Sequence, residues 1–464
     1  MLAILILALQ STLNPVEVSH GPQDWQLFPR DAHGLGEISV SGDWRPEASM
    51  QQLSLLVQGD GDTEWESIEK VETGSLTGSA QKRPYQLSVS VPAGLVEYQA
   101  FLVLRRNGVD EILNSWSHLV VGDVLIIHGQ SNAVAADYHG EQLANSTDQS
   151  PWIRSFGDSG TDAGLVGADL SWHIAGGEQQ NVPGFIGSWG LDLARQVVDH
   201  ESIPVAVLNG AVGGTTVAQH QRNELDPEDL NTIYGRLLYR ANRASITHQA
   251  RAIFWYQGES DGAHARDWLD GFENLTSAWR EDFLGLEHLW VVQVRRGCGA
   301  PSLQLRDFQR RLTHADDRIH AATTNGVYRH DGCHFFYSSY VELGAQLGPQ
   351  VAHHLYGATA LSDMEAPDIQ SASWTDASHT ALYLDFRNVS GSFQVPAGSW
   401  TTLELDDGAV ITQVVAVGNR LRLDLAASST ANTVQFSGTS GNQTPWIRNE
   451  RGLAMMSFKD VPIQ

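Results

Sequence analysis

The sequence predicts an α/β fold, in which a parallel sheet flanked by helices has one β-sandwich before it and another after it. Three observations lead to this prediction. Short alternating apolar runs precede residue 121, apolar strands alternate with amphipathic helices from there to about residue 356, and strand-like runs return after about residue 361. We therefore expect a candidate signal peptide at 1–20, an N-terminal β-sandwich at 21–120, a middle α/β domain at 121–360 and a C-terminal β-sandwich at 361–464.

The N-terminus carries an apolar run over residues 2–9, which has the length of a signal-peptide core and is too short to span a bilayer. No Lys or Arg precedes this run and the following residues match a cleavage site only loosely, so a frayed leader or a misassigned start codon is an open alternative. We expect the mature protein to be secreted or periplasmic. No later segment is apolar for long enough to form a membrane helix, so no membrane span is expected.

Both flanking segments are interpreted as sandwiches because their apolar residues alternate along short runs that end in turn residues. In the N-terminal segment, Gly59-Asp-Gly61 and Asn107-Gly108 predict hairpin turns. The predicted strands cover 37–41, 52–57, 85–91 and 97–104 before the middle domain, and 380–386, 401–405, 410–417 and 420–425 after it.

In the middle domain, apolar strand runs alternate with segments that have apolar residues at helical spacing. This order favours a mostly parallel sheet with right-handed crossovers and a site at the strand ends. Its predicted strands cover 124–127, 203–208, 252–256 and 288–294, and its predicted helices cover 186–198, 233–244, 272–283, 302–312 and 341–355. The formal net charge of −25 argues against unassisted binding to nucleic acid or to an anionic membrane, because the summed field repels phosphate. The oligomeric state stays open.

The apolar run at 124–127 ends near a glycine and is followed by Gln130, Ser131 and Asn132, as when a buried strand opens into a turn and a helix start. This pattern places Ser131 at the carboxyl edge of the sheet, where open α/β sheets bind ligands. The alternative is that Ser131 merely caps a helix. A lipase-type elbow is excluded, because Ala133 stands where its second glycine would be.

Other strand ends in the middle domain also carry groups suited to acyl transfer. Gly213 and Gly214 follow one strand and allow a backbone N–H to approach a ligand closely. Gln257 follows the next strand and offers an amide donor, while Asp331 lies three residues before His334. Each feature alone also fits a tight turn, a surface amide or a capped helix start. Because they occur in order at the ends of strands or loops of one sheet, they favour a catalytic site that has a nucleophile, oxyanion donors, an acid and a base.

Taken together, these motifs resemble the successive sequence blocks of SGNH-type esterases, in the variant carried by the sialate O-acetylesterase-like family of carbohydrate acetylesterases. The resemblance covers about residues 121–356 and implies an SGNH-hydrolase-like catalytic domain. One position departs from the broad SGNH pattern, because Gln257 stands where Asn is usual, although Gln is common in this branch. The blocks are Gly129-Gln-Ser-Asn132, Gly213-Gly-Thr215, Trp255-Tyr-Gln-Gly-Glu259, Trp279-Arg280, Gln293, Leu305-Arg-Asp-Phe-Gln309 and Asp331-Gly-Cys-His334.

The resemblance implies a two-step acyl transfer with Ser131 as nucleophile, His334 as base and Asp331 as the acid that orients the imidazole. It also implies an oxyanion hole formed by the backbone N–H groups of Ser131 and of Gly213 or Gly214, together with the Gln257 side chain.

Glu259 is expected to be a supporting acceptor for the Ser131 turn or for Gln257, with a solvated helix-start acid as the alternative. Trp172, His173 and Trp189 flank glycine-rich loops and fit sugar stacking as well as core packing. His128 and His330 are expected to have structural or peripheral roles. No metal or other cofactor is expected, because no His/Cys/Asp cluster is visible in the sequence.

The two cysteines, Cys298 and Cys333, are too few for a disulfide scaffold and match no zinc spacing. Each lies beside a region assigned to the active site, and in an exported protein a bridge would clamp the two loops together. We predict that they pair, and two unpaired buried thiols are the alternative.

The leading hypothesis is a serine carbohydrate O-acetylesterase that removes acetyl esters from sialic acid or another acetylated glycan through an acyl-enzyme. The alternative from another class is a glycan-binding or adhesion protein with an inactive esterase-like domain. A third reading, a thioester or lipid esterase, would need a long apolar acyl channel. For the leading hypothesis, the expected partner is an acetylated carbohydrate substrate.

Overall fold

The computed structural model describes residues 15–45, 50–60, 66–72 and 82–464. The apolar run at 2–9 and the last residue of the Gly59-Asp-Gly61 turn lie outside these residues. The chain divides into two compact units, residues 1–122 and residues 123–464. The predicted boundary at 360 therefore falls inside the second unit.

The first unit is built mostly from antiparallel strands around one apolar core. A three-stranded sheet has the order β1-β3-β6, and β4 pairs with β5 and β7, which in turn pairs with β8. The strands are β1 (Val16–His20), β2 (Leu27–Pro29), β3 (Leu35–Trp44), β4 (Met50–Gly59), β5 (Glu66–Glu72), β6 (Arg83–Pro92), β7 (Tyr98–Arg106) and β8 (Val109–Gly129). Strand β1 lies in the segment that the sequence analysis assigned to the candidate signal peptide.

Alternate residues of these strands face the shared core, as a period of two requires. Leu53 and Leu55 of β4 are fully buried together with Leu87 of β6 and Leu102 of β7, so both sheets contribute to one cluster. The predicted hairpin turn is present between β7 and β8, where Asn107 and Gly108 both have positive φ.

The second unit begins with a mostly parallel sheet of order β10-β9-β11-β8-β12-β13-β14, in which only β10 is antiparallel. Residues 123–129 of β8 form its centre, and the direction in which strands are added reverses there, which is where such sheets bind ligands. The strands are β9 (Ile153–Phe156), β10 (Trp172–Ile174), β11 (Val205–Asn209), β12 (Ala250–Tyr256), β13 (His288–Gln293) and β14 (Ile319–Thr323).

The helices of this part are α1 (Ser131–Val134), α2 (Ala144–Asp148), α3 (Ala163–Ala168), α4 (Ser188–Glu201), α5 (Ile233–Arg243), α6 (Ala265–Asp282), α7 (Leu303–Ala315) and α8 (Tyr337–His354), with a 3₁₀ helix at Val217–His220. Each of the five predicted helices is confirmed, although α6 begins seven residues before its predicted start at 272. Strand β14 was not predicted, because Ile319-His-Ala-Ala-Thr323 has small and polar residues instead of an apolar run.

The C-terminal part contains two small antiparallel sheets, with orders β15-β16-β19-β18 and β17-β20-β21. They share a core in which Leu384 of one sheet and Phe436 of the other are buried. The strands are β15 (Asp368–Trp374), β16 (Ala381–Arg387), β17 (Leu403–Leu405), β18 (Ile411–Val417), β19 (Arg420–Leu425), β20 (Thr433–Phe436) and β21 (Phe458–Pro462). Strands β15, β20 and β21 were not predicted.

Buried polar contacts join the parallel sheet and its helices to the C-terminal sheets. The Gln293 amide donates to the backbone oxygen of Ser457 over 2.9 Å, and the Arg310 guanidinium pairs with the buried Asp368 carboxylate at 2.6 Å. Since an unpaired buried charge is costly, these contacts hold the two parts in one arrangement. Within the described residues, no helix has the length and apolar character needed to cross a bilayer.

Candidate active site

The turn after β8 brings Ser131 to the carboxyl edge of the sheet. Gly129 has a φ of +139°, and a Cβ at this position would lie 2.1 Å from the backbone oxygen of Tyr256, so only glycine fits. The N–H of Gln130 donates to the same oxygen over 3.0 Å. Gln130 is the N-cap of α1 and Ser131 is its first residue, so the alternative interpretation of Ser131 as a helix cap is wrong.

The loop after β11 lies against this turn. A Cβ on Gly213 would lie 3.5 Å from the Cβ of Ser131, and the next residue, Gly214, has a φ of +72°. The N–H of Val212 donates to the backbone oxygen of Gly129 over 3.0 Å, which ties the loop to the end of β8. The structure thus brings Gly213 beside Ser131, and Gly214 lines the same cavity.

The loop after β14 carries Asp331 and His334. Oδ2 of Asp331 lies 3.7 Å from Nδ1 of His334, which is an ion-pair distance and too long for a hydrogen bond. Oδ1 of Asp331 accepts the backbone N–H groups of Cys333 and His334 at 2.7 and 2.8 Å. Burial acts to raise the pKa of Asp331, but these two hydrogen bonds, together with the nearby His334 and His139, hold that pKa below its usual value.

Burial lowers the pKa of His334, with the Asp331 charge opposing the shift. A lowered pKa keeps the ring neutral at pH 7, which is the form that accepts a proton. No hydrogen bond joins the Ser131 hydroxyl to the His334 ring in the described part of the chain. Such contacts are often long before substrate binds.

One cavity of about 790 Å³ adjoins the Ser131 turn, the glycine loop and His334. Ser131, Gly213, Gly214 and His334 line it, and Asp331 lies outside it on the Nδ1 side of His334. Its lining consists of Gln130, Ser131, Tyr138, Gln180, Gly213, Gly214, Glu259, Ser260, Gly262, Cys298, Gly299, Ala300, Cys333 and His334.

Tyr138 is a residue of this cavity that the sequence analysis missed. Its ring stacks on His334 with 4.1 Å between centroids, and its hydroxyl donates to the backbone oxygen of Ser131 over 2.9 Å. Tyr138 therefore contacts both the predicted base and the predicted nucleophile turn. No local signal identifies it, because a tyrosine seven residues after Ser131 belongs to none of the motifs.

Gln257 is fully buried, and its carboxamide is already engaged. Its Nε2 donates to the backbone oxygen of Thr215 over 3.0 Å, to Oε1 of Gln130 over 3.2 Å and to Asp261. Its Oε1 accepts the indole N–H of Trp268 over 2.8 Å. The side chain does not line the cavity, so its predicted oxyanion role stays a prediction without a matching contact. In this arrangement it supports the loop that carries Gly213 and Gly214.

Glu259 lines the cavity and is 3% exposed, so the alternative of a solvated acid is wrong. Its Oε1 accepts Nδ2 of Asn132 over 2.9 Å, and Oδ1 of Asn132 accepts the hydroxyl of Tyr340 over 3.1 Å. Burial raises the pKa of Glu259 to about 7, although the Asn132 bond opposes the shift. The contact with Asn132 is the one that a supporting acceptor for the Ser131 turn would make.

The predicted disulfide between Cys298 and Cys333 is confirmed. Both cysteines line the cavity, and the bridge joins the loop after β13 to the loop that carries His334. A bond that closes a loop of this size stabilises the folded chain by about 3–4 kcal/mol on chain-entropy grounds. The bridge therefore restrains the loop that carries His334.

A chain of buried hydrogen bonds lies beneath the glycine loop. Nε2 of His128 is 3.0 Å from Nδ1 of His220, and Nε2 of His220 is 2.8 Å from the hydroxyl of Thr215. Burial lowers the pKa of His128 to about 3 and that of His220 well below 6.5, so both rings are neutral. This arrangement fits the structural role expected for His128.

The three residues for which the sequence left sugar stacking open, Trp172, His173 and Trp189, do not line the cavity. Trp172 and Trp189 are buried, and the Trp189 indole donates to the backbone oxygen of Asn132 over 2.9 Å. His173 pairs with Asp169 at 2.9 Å. Core packing therefore accounts for Trp172 and Trp189, whereas a sugar contact of the partly exposed His173 stays a prediction.

Comparison with known proteins adds a family and a fold. Residues 121–353 match the profile of a family described as carbohydrate esterase, sialic acid-specific acetylesterase, which spans half of the chain. No curated protein matches the chain.

Among solved structures, a carbohydrate acetylesterase from Xanthomonas citri is similar over 96% of this chain and 99% of its own, with a TM-score of 0.63 and 17% identity. This likeness shows a shared fold. A protein from Arabidopsis thaliana matches 52% of this chain and 99% of its own, with a TM-score of 0.40 and 20% identity.

Proposed function

The chain belongs to the sialic acid-specific acetylesterase family of carbohydrate esterases, and from this membership we propose that it is a serine O-acetylesterase of the SGNH type. The proposed reaction removes acetyl esters from sialic acid or another acetylated glycan through an acyl-enzyme. One observation carries the proposal: Ser131, His334 and the Gly213-Gly214 loop line the same cavity at the carboxyl edge of the sheet.

In the first step, Ser131 attacks the ester carbonyl while the neutral His334 ring takes the hydroxyl proton. Asp331 stabilises the imidazolium that forms, and its position at 3.7 Å from Nδ1 is consistent with a role in orienting the ring. The alcohol of the sugar leaves with the proton from His334. In the second step a water molecule, activated by the same ring, hydrolyses the acetyl-serine.

The developing oxyanion needs donors that are already in place before the reaction. The N–H of Ser131 and that of Gly213 or Gly214 are the donors that we propose. Gln257 contributes by holding the Thr215 backbone and Gln130 in position, through the bonds from its Nε2. A direct contact of its amide with the oxyanion would require those bonds to rearrange.

The test compares hydrolysis of p-nitrophenyl acetate, butyrate and octanoate by the wild type, Ser131→Ala and Ser260→Ala. Ser260 lines the same cavity and serves as a matched serine control. We expect acetate-selective activity that falls at least about a thousandfold in Ser131→Ala and changes little in Ser260→Ala. Acetylated sialic acid and acetylated polysaccharides then identify the sugar.

Survival of activity in Ser131→Ala would refute the serine mechanism. A folded wild type that hydrolyses none of these esters, but binds glycans, would favour the alternative of a binding protein with an inactive esterase-like domain.

We further propose that the protein is exported and that its flanking β modules are sandwiches. Export is supported by the apolar run at 2–9 and by the Cys298–Cys333 bridge, since disulfides persist in oxidising compartments. The sandwich assignment is supported by the single core that the sheets of each module share. Expression with and without residues 2–9, which leaves strand β1 in place, followed by fractionation of cells and medium, tests export.

A further inference from the structure

A cluster of histidines lies at the other end of the parallel sheet. His288 is the first residue of β13, His320 is the second residue of β14, and His354 is the last residue of α8. One ring nitrogen each of His320 and His354 and a carboxylate oxygen of Glu365 lie within 4.8 Å of one another. No residue of this group lines the esterase cavity.

The group is arranged as the ligands of a metal site are. Nε2 of His354 is 3.1 Å from Oε1 of Glu365, which is close to the separation of two ligand atoms around a tetrahedral ion. The rings of His320 and His354 lie against each other with 3.8 Å between centroids, which shows that the two side chains belong to one cluster. His288 contacts His320 as well, since Nδ1 of His288 is 2.9 Å from Nε2 of His320. Metal-binding histidines typically have such a partner on the second ring nitrogen.

Burial is graded across the cluster. His320 is 6% exposed, whereas the side chains of His354 and Glu365 are 22% and 29% exposed. One ligand is thus buried, and the other two are partly exposed to the solvent from which an ion and a water ligand would come.

We propose that His320, His354 and Glu365 bind a divalent transition metal of the zinc class, with His288 as the residue that positions His320. Two imidazoles and one carboxylate are a donor set that Zn²⁺ accepts, and water completes the tetrahedron. The ligands come from a strand, the end of α8 and the segment that leads to β15, so the ion ties that segment to the sheet. The proposed role is therefore structural and separate from ester hydrolysis.

The experiment uses the full chain without a polyhistidine tag, after treatment with a chelator. Titration with Co²⁺ is followed by visible absorption, Zn²⁺ is then added as a competitor, and thermal unfolding is measured with and without Zn²⁺. We expect one Co²⁺ per chain, displacement by Zn²⁺ and a higher melting temperature with Zn²⁺. Hydrolysis of p-nitrophenyl acetate should not change on chelation.

Variants separate a metal site from a cluster that is only hydrogen-bonded. His354→Ala and Glu365→Gln should each weaken Co²⁺ binding by at least about tenfold, and Glu365→Gln retains a hydrogen-bonding group that keeps the fold. His264→Ala, which removes a histidine whose side chain is 76% exposed, should bind Co²⁺ like the wild type. Binding by the wild type that is no tighter than binding by Glu365→Gln, or equal melting temperatures with and without Zn²⁺, would overturn the proposal.

Discussion

The two ends of the parallel sheet both gather histidine, but they do so in different ways. At the carboxyl edge, His334 sits on a loop that is restrained by the Cys298–Cys333 bridge and by stacking on Tyr138. At the amino edge, His288 and His320 belong to the strands themselves. Loops that line a cavity of about 790 Å³ leave room for a substrate and for changes of geometry during a reaction. Residues on strands are held fixed, which suits an ion that stays bound.

The largest effects, on ester hydrolysis and on Co²⁺ binding, should come from substituting one histidine at each edge by alanine. His334→Ala is expected to reduce ester hydrolysis at least about a thousandfold, because no base remains to take the Ser131 proton, and to leave Co²⁺ binding unchanged. His354→Ala is expected to do the reverse. Activity and Co²⁺ titration measured on both variants check this separation. Loss of ester hydrolysis in His354→Ala, with the fold retained, would join the two edges into one functional site.

Gln257→Ala should affect both stability and turnover. The substitution removes the acceptor of the Trp268 indole and the donor to the Thr215 backbone, and each buried group left without a partner costs about 1–3 kcal/mol. The free energy of unfolding should therefore fall by about 2–6 kcal/mol, with a drop in kcat of about a hundredfold as the glycine loop loses support. Urea unfolding and steady-state kinetics measure the two. An equal drop in kcat with unchanged stability would instead favour a direct oxyanion contact.

Glu259→Gln should change how stability depends on pH. The pKa of Glu259 is about 7 in the folded protein and near 4.5 in the unfolded chain. Between pH 4.5 and pH 7 the folded state therefore binds more protons than the unfolded state. The contribution of this group is therefore fully present below pH 4.5 and is lost as pH rises to 7, by up to about 3 kcal/mol. The variant should lose this decline, which urea unfolding at pH 5, 6 and 7 detects. Parallel curves for both proteins would show that Glu259 is ionised throughout.

A smaller effect is expected from substituting Asn442, a residue of the C-terminal part that contacts the loop carrying His334. Its Nδ2 donates to the backbone oxygen of His330 over 2.7 Å, and its Oδ1 accepts the N–H of His330 over 3.1 Å. Asn442→Ala should cost about 1–3 kcal/mol of stability and lower activity less than tenfold, because the disulfide still restrains the loop. Unfolding and kinetics on this variant test whether the C-terminal part supports the carboxyl edge. No change in either quantity would assign Asn442 no part in it.

The two edges also differ in how far sequence predicts them. Ser131, Gly213 and Glu259 stand in contiguous motifs that follow predicted strands, and the topology of a parallel sheet brings such ends together. His334 follows β14, which the sequence does not mark, so its motif with Asp331 was the signal for it. Their residue identities and order were therefore sufficient to place them at one edge.

The amino-edge cluster could not be found in this way. Its members His288, His320, His354 and Glu365 are isolated residues in four separate segments, and β14, which carries one of them, has no apolar run to mark it. The expectation of no metal came from the sequence, in which residues far apart in the chain do not show that they meet in the fold. For the same reason Tyr138, and the engaged state of the Gln257 amide, became visible only with the fold.

The central claim is that Ser131 forms the acyl-enzyme, and a covalent probe tests it most directly. The wild type and His334→Ala are incubated with a p-nitrophenyl phosphonate ester, which transfers its phosphonyl group to an activated serine, and intact mass and peptide mapping locate the adduct. We predict one adduct per chain, on Ser131, formed much more slowly in His334→Ala and without change in Glu365→Gln. An adduct on another residue, or full esterase activity in a protein that Ser131 labelling has saturated, would contradict the account.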